Sequence, residues 1–257
     1  MTGNSGWLIH RYDTVTSTMD VARVLARFGA RDRTVVISVE QTAGRGRDGR
    51  SWQAPAGSAV FCTIIVRPTI TGERLSTLPL LTGVAVAEAI EDVSQYRARL
   101  KWPNDVWLGE ESSNAKVAGV LMASSLHGTA VDFVSVGIGI NVLVGSGDLP
   151  QGATSIQAAT GAAATPDEVF YALLDRFDRS YADFVTSHGR PSLAGWRARA
   201  ALQGEVVTVV NGNSRLTGIF ADIDDDGGLL IEEPGHEIRR VVAGDLVRGP
   251  RPVGKGR

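Results

Sequence analysis

The stretch from Gln41 to Trp52, QTAGRGRDGRSW, sets Arg45, Arg47 and Arg50 among Gly44, Gly46 and Gly49. It satisfies the pattern G-x-G-x-x-G and approaches a P-loop, with Arg50-Ser51 where Lys-Ser/Thr would stand. Both of those motifs need a helix directly after the loop, so that its first amides face a phosphate. Here Pro55 and Gly57 follow instead, and then the β-branched run Ala59 to Val66, AVFCTIIV. The glycine-rich segment is therefore a loop between strands, and the doubly wound nucleotide-binding sheet is excluded. Such a loop can wrap an anion. Guanidinium groups offer planar, permanently charged donors, and glycine lets the backbone come close and fold over. Read alone, it could equally be a solvated basic surface.

Working outward, Thr34 to Glu40 (TVVISVE) reads as the buried strand entering the loop. Before it, Val21, Val24, Leu25 and Phe28 recur at helical spacing, with Ser17 or Thr18 as cap and Gly29 as stop. After it, Arg74 to Val93 reads as a helix that Pro79 starts or kinks. Strands return at Ala98 to Trp102, Val106 to Leu108, Lys116 to Ala123 and Ala130 to Asn141, the second and third joined by the polar turn GEESSN. Short links favour antiparallel pairing. Val142 to Ala153 is loop-like, and Asp167 to Phe184 forms a helix with Phe170, Leu173, Leu174, Phe177, Tyr181 and Phe184 on one face. From Gly204 the pattern becomes short alternating strands with Asn-Gly and Asp-Gly turns.

The expected class is α+β, with a mixed, largely antiparallel central sheet carrying helices on one side and a small C-terminal SH3-like β-barrel. The expected division is a catalytic domain over residues 1–200, the barrel over 204–250 and a flexible tail over 251–257.

Composition narrows the function classes. The chain has 257 residues and a formal charge of -2, which gives no global reason to bind a long polyanion. The single cysteine, Cys62, lies in the apolar run and reads as a small buried hydrophobe, in keeping with a reducing cytoplasm. No signal peptide or membrane span is evident. His10, His127, His188 and His236 are scattered without ligand spacing, so no histidine metal site is expected.

Two further motifs follow the loop: KWPND from Lys101 to Asp105, and KVAGVL from Lys116 to Leu121. Pro-Asn-Asp alone is good turn chemistry between strands. In this order, with Ser17-Thr18 before the first helix and VGIGINV from Val136 to Val142, the three motifs resemble those of the biotin protein ligases. The resemblance extends to the C-terminal pattern GIFADIDDDGGLLI and covers nearly the whole chain.

That resemblance implies activation of biotin by ATP, with Mg²⁺, to biotinyl-5′-AMP, and transfer of biotin to one lysine of a biotin carboxyl carrier protein. It implies Lys116 as the catalytic cation with Arg47 beside it. Ser17, Thr18, Met19, Gln41, Gly44, Arg45, Gly46, Arg47, Arg50, Trp52, Lys116, Gly119, Gly137 and Asn141 would hold biotin or the adenylate. Lys101, Asn104 and Asp105 would serve ATP, Mg²⁺ or the incoming lysine. The loop would be mobile without ligand and protected with it. Two departures from the family pattern stand out: Met19 replaces the usual Asn after Ser-Thr, and Ala123 replaces a common Glu after the KVAGVL strand.

The nearest alternative is a lipoate ligase or octanoyl transferase, whose families lack the GRGRxGRxW and KWPND runs. A biotin-responsive DNA-binding regulator would need a helix-turn-helix module, and only about a dozen residues precede the first helix. No DNA or membrane partner is expected, and monomer and homodimer stay open. Asp222 to Glu233, DIDDDGGLLIEE, satisfies an EF-hand loop pattern. β-like sequence precedes it and Pro234-Gly235 follows, so a hairpin is the expectation. Ser113-x-x-Lys116 likewise mimics a nucleophile motif, but on a turn and not on a helix.

Overall fold

The computed structural model describes residues 6–109 and 115–249, so the expected GEESSN turn beyond Gly109, Ser113 and the tail 251–257 lie outside the described residues. The main sheet has seven strands: β1 (Leu8–Val15), β2 (Thr34–Gln41), β3 (Ala59–Val66), β4 (Arg99–Lys101), β5 (Asp105–Leu108), β6 (Ala115–His127) and β7 (Ala130–Asn141). Their order is β1-β2-β3-β7-β6-β5-β4. β1 runs parallel to β2 and every other pairing is antiparallel, which makes the sheet mixed and largely antiparallel. β1 is not legible in the sequence, because it is an edge strand with mostly exposed side chains and no apolar alternation.

Two long helices, α2 (Leu78–Ser94) and α4 (Pro166–Thr186), cover one face, and the short helices α3 (Ile156–Thr160) and α5 (Ala194–Arg197) precede and follow α4 in the chain. Pro79 sits in the first turn of α2, where its missing N–H costs nothing. Twelve of the 17 residues of α2 are buried, so its pattern has little polarity to read. α4 starts at a capping box between Thr165 and Glu168 and buries the expected stripe from Phe170 to Phe184.

The first helix, α1 (Thr18–Arg27), departs from the expected arrangement in two ways. It lies on the opposite face of the sheet, against Val36, Ile65 and Phe133. It also buries Thr18, Ala22 and Ala26, and of the expected stripe Val21 and Leu25 pack beside them while Val24 and Phe28 remain 52% and 88% exposed. Small residues bring this helix close to the strands. Helices thus flank both faces, two long ones on one side and one short one on the other.

The C-terminal region forms a five-stranded antiparallel sheet, β8 (Val206–Asn211), β9 (Ser214–Ile223), β10 (Leu229–Glu232), β11 (Ile238–Val241) and β12 (Asp245–Arg248), in the order β11-β10-β9-β8-β12. Its buried Val207, Val209, Phe220, Ile231 and Leu246 belong to the same core as the main sheet, with Trp196 packed against Phe220. The strand β12 escapes sequence reading because four residues flanked by Gly244 and Gly249 carry almost no periodic signal. The acidic stretch from Asp222 is the β9–β10 hairpin, with Arg197 holding Asp222 and Asp225, and Arg240 holding Asp224.

Candidate active site

The site begins with alternation along β7. Its even residues Val134, Val136, Ile138 and Ile140 enter the core beneath α2 and α4, so Ser135, Gly137, Gly139 and Asn141 face the other way. Register sets Gly137 between Thr63 on β3 and Leu121 on β6, and Gly139 between Phe61 and Gly119. Side chains are therefore missing from the middle of the sheet, and a trough is left. A Cβ on Gly139 would lie 2.5 Å from the Trp52 ring, and one on Gly119 would lie 3.1 Å from it. A Cβ on Gly137 would lie 2.6 Å from Sδ of Met19. These glycines are dictated by contact with Trp52 and Met19, since each strand would otherwise prefer a side chain.

Trp52 is delivered by the arginine loop. Gly44 accepts from the Trp52 amide at 2.9 Å, and an added Cβ on Gly44 would meet the Trp52 carbonyl oxygen at 2.2 Å. Gly46 N–H donates to Arg50 at 2.6 Å, closing the loop around a short 3-10 turn at Arg47–Gly49. Asp48 and Gly49 there have φ of 53° and 74°, the left-handed backbone that glycine favours. The three arginines are engaged with the protein. Arg45 binds Asp20 at 2.5 Å, Arg47 donates to Asn104 at 3.1 Å, and Arg50 binds Asp245 at 2.8 Å. Arg47 also approaches Asp245 at 3.5 Å and donates to the Gly244 carbonyl at 3.3 Å.

At one end of the trough Ser17 caps α1 by accepting from the Met19 amide at 3.3 Å. Thr63 donates to Thr18 at 2.8 Å, and Thr18 donates from its hydroxyl and its amide to Gln41 at 3.1 and 2.8 Å. That chain fixes the Gln41 amide orientation.

At the other end stand the lysines. Lys116 Nζ lies 2.6 Å from Asp105 and 5.2 Å from the centre of the Trp52 ring. Lys101 Nζ is 3.7 Å from the same carboxylate and 5.2 Å from the Trp107 ring. Burial pushes the Lys101 ammonium below its ordinary pKa, against the opposing pull of Asp105. Asn104 donates to the Val120 carbonyl at 2.8 Å, tying the KWPND turn to β6. Turn chemistry and site chemistry coincide here, because the same turn that satisfies the backbone also presents Asp105 to both lysines.

These groups line one cavity of about 290 Å³. Ser17, Thr18, Met19, Gln41, Arg45, Gly46, Arg47, Arg50 and Trp52 lie on its walls, with Lys101, Asn104, Asp105, Lys116, Gly119, Gly137 and Asn141. Gly44 does not line it and acts by permitting the loop's closure on Trp52. The cavity also includes Gly139, and Asp245 to Val247 of β12, which sequence reasoning did not single out. Gly139 was open to inference, since it shares the alternation of VGIGINV with Gly137. Asp245 was not, because its partner Arg50 is 195 residues away. Asn141 donates to the Thr154 carbonyl at 3.0 Å and supports the wall more than it faces the trough. Ala123 stands opposite Ser135, away from Lys116, whose near partner is Asp105. Cys62 is buried and desolvation pushes its thiol up to about 12, which leaves it inert. Among the described residues no three His, Cys, Asp or Glu side chains gather to hold a metal ion.

Comparison with known proteins agrees with this architecture. Residues 12–141 match the biotin/lipoate A/B protein ligase family, and residues 204–249 match the biotin protein ligase C terminal domain. The bifunctional ligase/repressor BirA of Bacillus subtilis is 32% identical over 242 residues, covering 93% of this chain and 73% of that one. A biotin–acetyl-CoA-carboxylase ligase of Paracoccus denitrificans is 39% identical over 207 residues, covering 77% of this chain and 84% of its own length. A biotin protein ligase from Aquifex aeolicus, solved in complex with biotin and ATP, superposes with a TM-score of 0.79 at 29% identity, over 94% of this chain and 99% of that one. With its glycine-floored trough, lysine pair and arginine loop in place, the chain belongs to the biotin protein ligases of the biotin/lipoate A/B protein ligase family.

Proposed function

We propose that the protein joins biotin to ATP, giving biotinyl-5′-AMP and pyrophosphate, and then passes the biotinyl group to a lysine of a biotin carboxyl carrier protein of acetyl-CoA carboxylase. The single observation that carries this reading is the convergence of Lys116, Lys101 and Arg47 at one end of an apolar trough, around Asn104 and Asp105. A neutral ring fits the trough, while an acid and a polyphosphate need the cations.

In the first step a biotin carboxylate oxygen attacks the α-phosphorus of ATP and pyrophosphate leaves. Both reactants are anionic, so the barrier is largely electrostatic, and preorganised cations lower it without reorganising during the reaction. Lys116 is positioned for this by Asp105 beneath it and the Trp52 face beside it. Arg47 is the second catalytic cation. Trp52, Gly119, Gly137 and Met19 bound the ring, while Ser17, Thr18 and Gln41 supply polar contacts. Lys101, Asn104 and Asp105 serve the nucleotide end and the entering amine. In the second step the carrier lysine's neutral amine attacks the acyl carbon, AMP departs and the amine proton is released.

The mixed anhydride must be kept from water between the steps, and the loop from Gly44 to Trp52 covers it. Asp105, the acidic group nearest the lysines, would be the residue to hold Mg²⁺ accompanying ATP, and the ion would there neutralise phosphate charge. The working division is a catalytic unit over 1–200 and an appended unit over 204–250 that contributes Asp245 to the site. Among the described residues no helix is long and apolar enough to cross a membrane.

The deciding experiment is ATP–pyrophosphate exchange with purified protein, with biotin and lipoate as competing acids, followed by transfer of labelled biotin to a carrier domain. Biotin-dependent exchange and ATP-dependent labelling are expected. Exchange driven by lipoate in preference to biotin, or none with either, removes the reading.

A further inference from the structure

A second cavity, of about 350 Å³, lies behind the trough on the same face of the sheet. Met19, Leu121 and Arg45 line both. Leu121 rises from β6 opposite Gly137, and Met19 reaches down from α1 until its sulfur rests on the Gly137 backbone. These two side chains stand between the trough and the space beyond. That space carries Phe133 and Ala123 as apolar lining and Arg23 at its rim. Ser135 also lines it, and its hydroxyl is buried without a hydrogen-bond partner.

We propose that Met19 sets the specificity of this ligase for its acid substrate, by closing the ring end of the trough against carboxylic acids with a larger head. The inference rests on the reading above, which puts the reacting carboxylate at Lys116 and so the ring system at the Met19 end. Specificity of this kind is exclusion, and its strength is set by how much of a competitor's bulk meets a wall. Met19 is the movable part of that wall. It comes from the second position of a helix, so shortening it leaves the sheet register untouched and joins the two cavities. An acid extended at the ring could then reach past Leu121 toward the Ser135 hydroxyl, which would gain the partner it lacks.

The test is pyrophosphate exchange by wild type, Met19→Ala, Met19→Val and Met19→Leu, with biotin and with biotin carrying a propyl group on one ureido nitrogen. Wild type is expected to use biotin and exclude the analogue. In Met19→Ala the analogue-to-biotin ratio of kcat/KM should rise by at least about tenfold, the scale on which one or two methylenes discriminate in an apolar pocket. Met19→Leu, similar in volume, should keep the wild-type ratio, which a general loosening of the site would not. An analogue used equally by wild type, or excluded by whichever of Met19→Ala and Met19→Val melts as wild type and still uses biotin, overturns the proposal. If wild type exchanges no pyrophosphate with biotin itself, the assigned reaction fails, and this inference fails with it.

Discussion

Lys116 is held at 2.6 Å from Asp105, with its side chain 31% exposed and that of Asp105 17% exposed. Without Lys116 the Asp105 carboxylate would still have Lys101 at 3.7 Å as a partner, so the loss to stability is small, whereas a charge fixed where two anions would meet contributes much to rate. Lys116→Ala is therefore expected to lower kcat for adenylate formation by about 10² to 10³ while the melt stays near wild type. A large fall in melting temperature, with activity merely tracking folded protein, would count against the role. Lys101 allows a prediction in pH. Its folded pKa is lowered by burial, so the native chain releases that proton at lower pH than the unfolded chain does. Its contribution is fully present above the ordinary lysine value of about 10.4 and is lost as pH falls through the lowered folded value. The stability of wild type relative to Lys101→Met should rise with pH across that window, as read by urea unfolding. A flat difference would mean that Lys101 titrates normally. These lysines were legible because they open short motifs; that Asp105 lies between them was not, since the contact depends on the β5–β6 register, which shifts between Val106 and Trp107.

Strand β7 shows how an element shapes the site. Its alternation was readable, since a strand with Val and Ile at every second position must bury one face and present the other. Small residues on the presented face were also readable, but not what fills the gap they leave. Trp52 fills it, arriving from a different strand connection and resting on Gly139 and Gly119. The two glycines should respond to substitution in a definite order. Gly139→Ala puts a methyl group 2.5 Å from the indole and Gly119→Ala one at 3.1 Å, so the first must displace Trp52 and the second only shifts it. Overpacking of this kind costs about 1 to 3 kcal/mol. Gly139→Ala should therefore weaken biotin binding by about tenfold or more, and Gly119→Ala by clearly less, as read by calorimetry. Equal effects, or the reverse order, would place the ring elsewhere. Helix α1 was misread at this scale for a related reason. Periodicity favours large apolar residues as the buried stripe, but close approach to the strands selected Ala22 and Ala26 and left Phe28 outside.

At the scale of the whole molecule, the candidate site takes part of its wall from the C-terminal sheet. Asp245 on β12 binds Arg50 and approaches Arg47, so the arginine loop is latched across the trough to the C-terminal unit. Both contacts are partly exposed, and such pairs are each worth about 0 to 1 kcal/mol, weak enough for an anionic ligand to draw the arginines away. Asp245→Asn should raise the rate of tryptic cleavage within residues 44–52 of the free protein by about two- to fivefold, as one lost pair of that strength would. Biotin with ATP should restore protection in both forms. Identical cleavage of wild type and variant without ligand would remove the latch. The sequence by itself determined the α+β class, the loop between strands, the order of the motifs and the turn-rich C-terminal strands. Each of these follows from local rules, namely side-chain alternation, the conformational range of glycine and the need of a P-loop for a helix. Only the tertiary structure decided that α1 faces away from α2 and α4, that β1 and β12 exist as strands, and that Asp20, Asp105 and Asp245 face the cations. Those outcomes rest on contacts between distant segments, where packing distance and register choose the partner and no short stretch of chain carries the information.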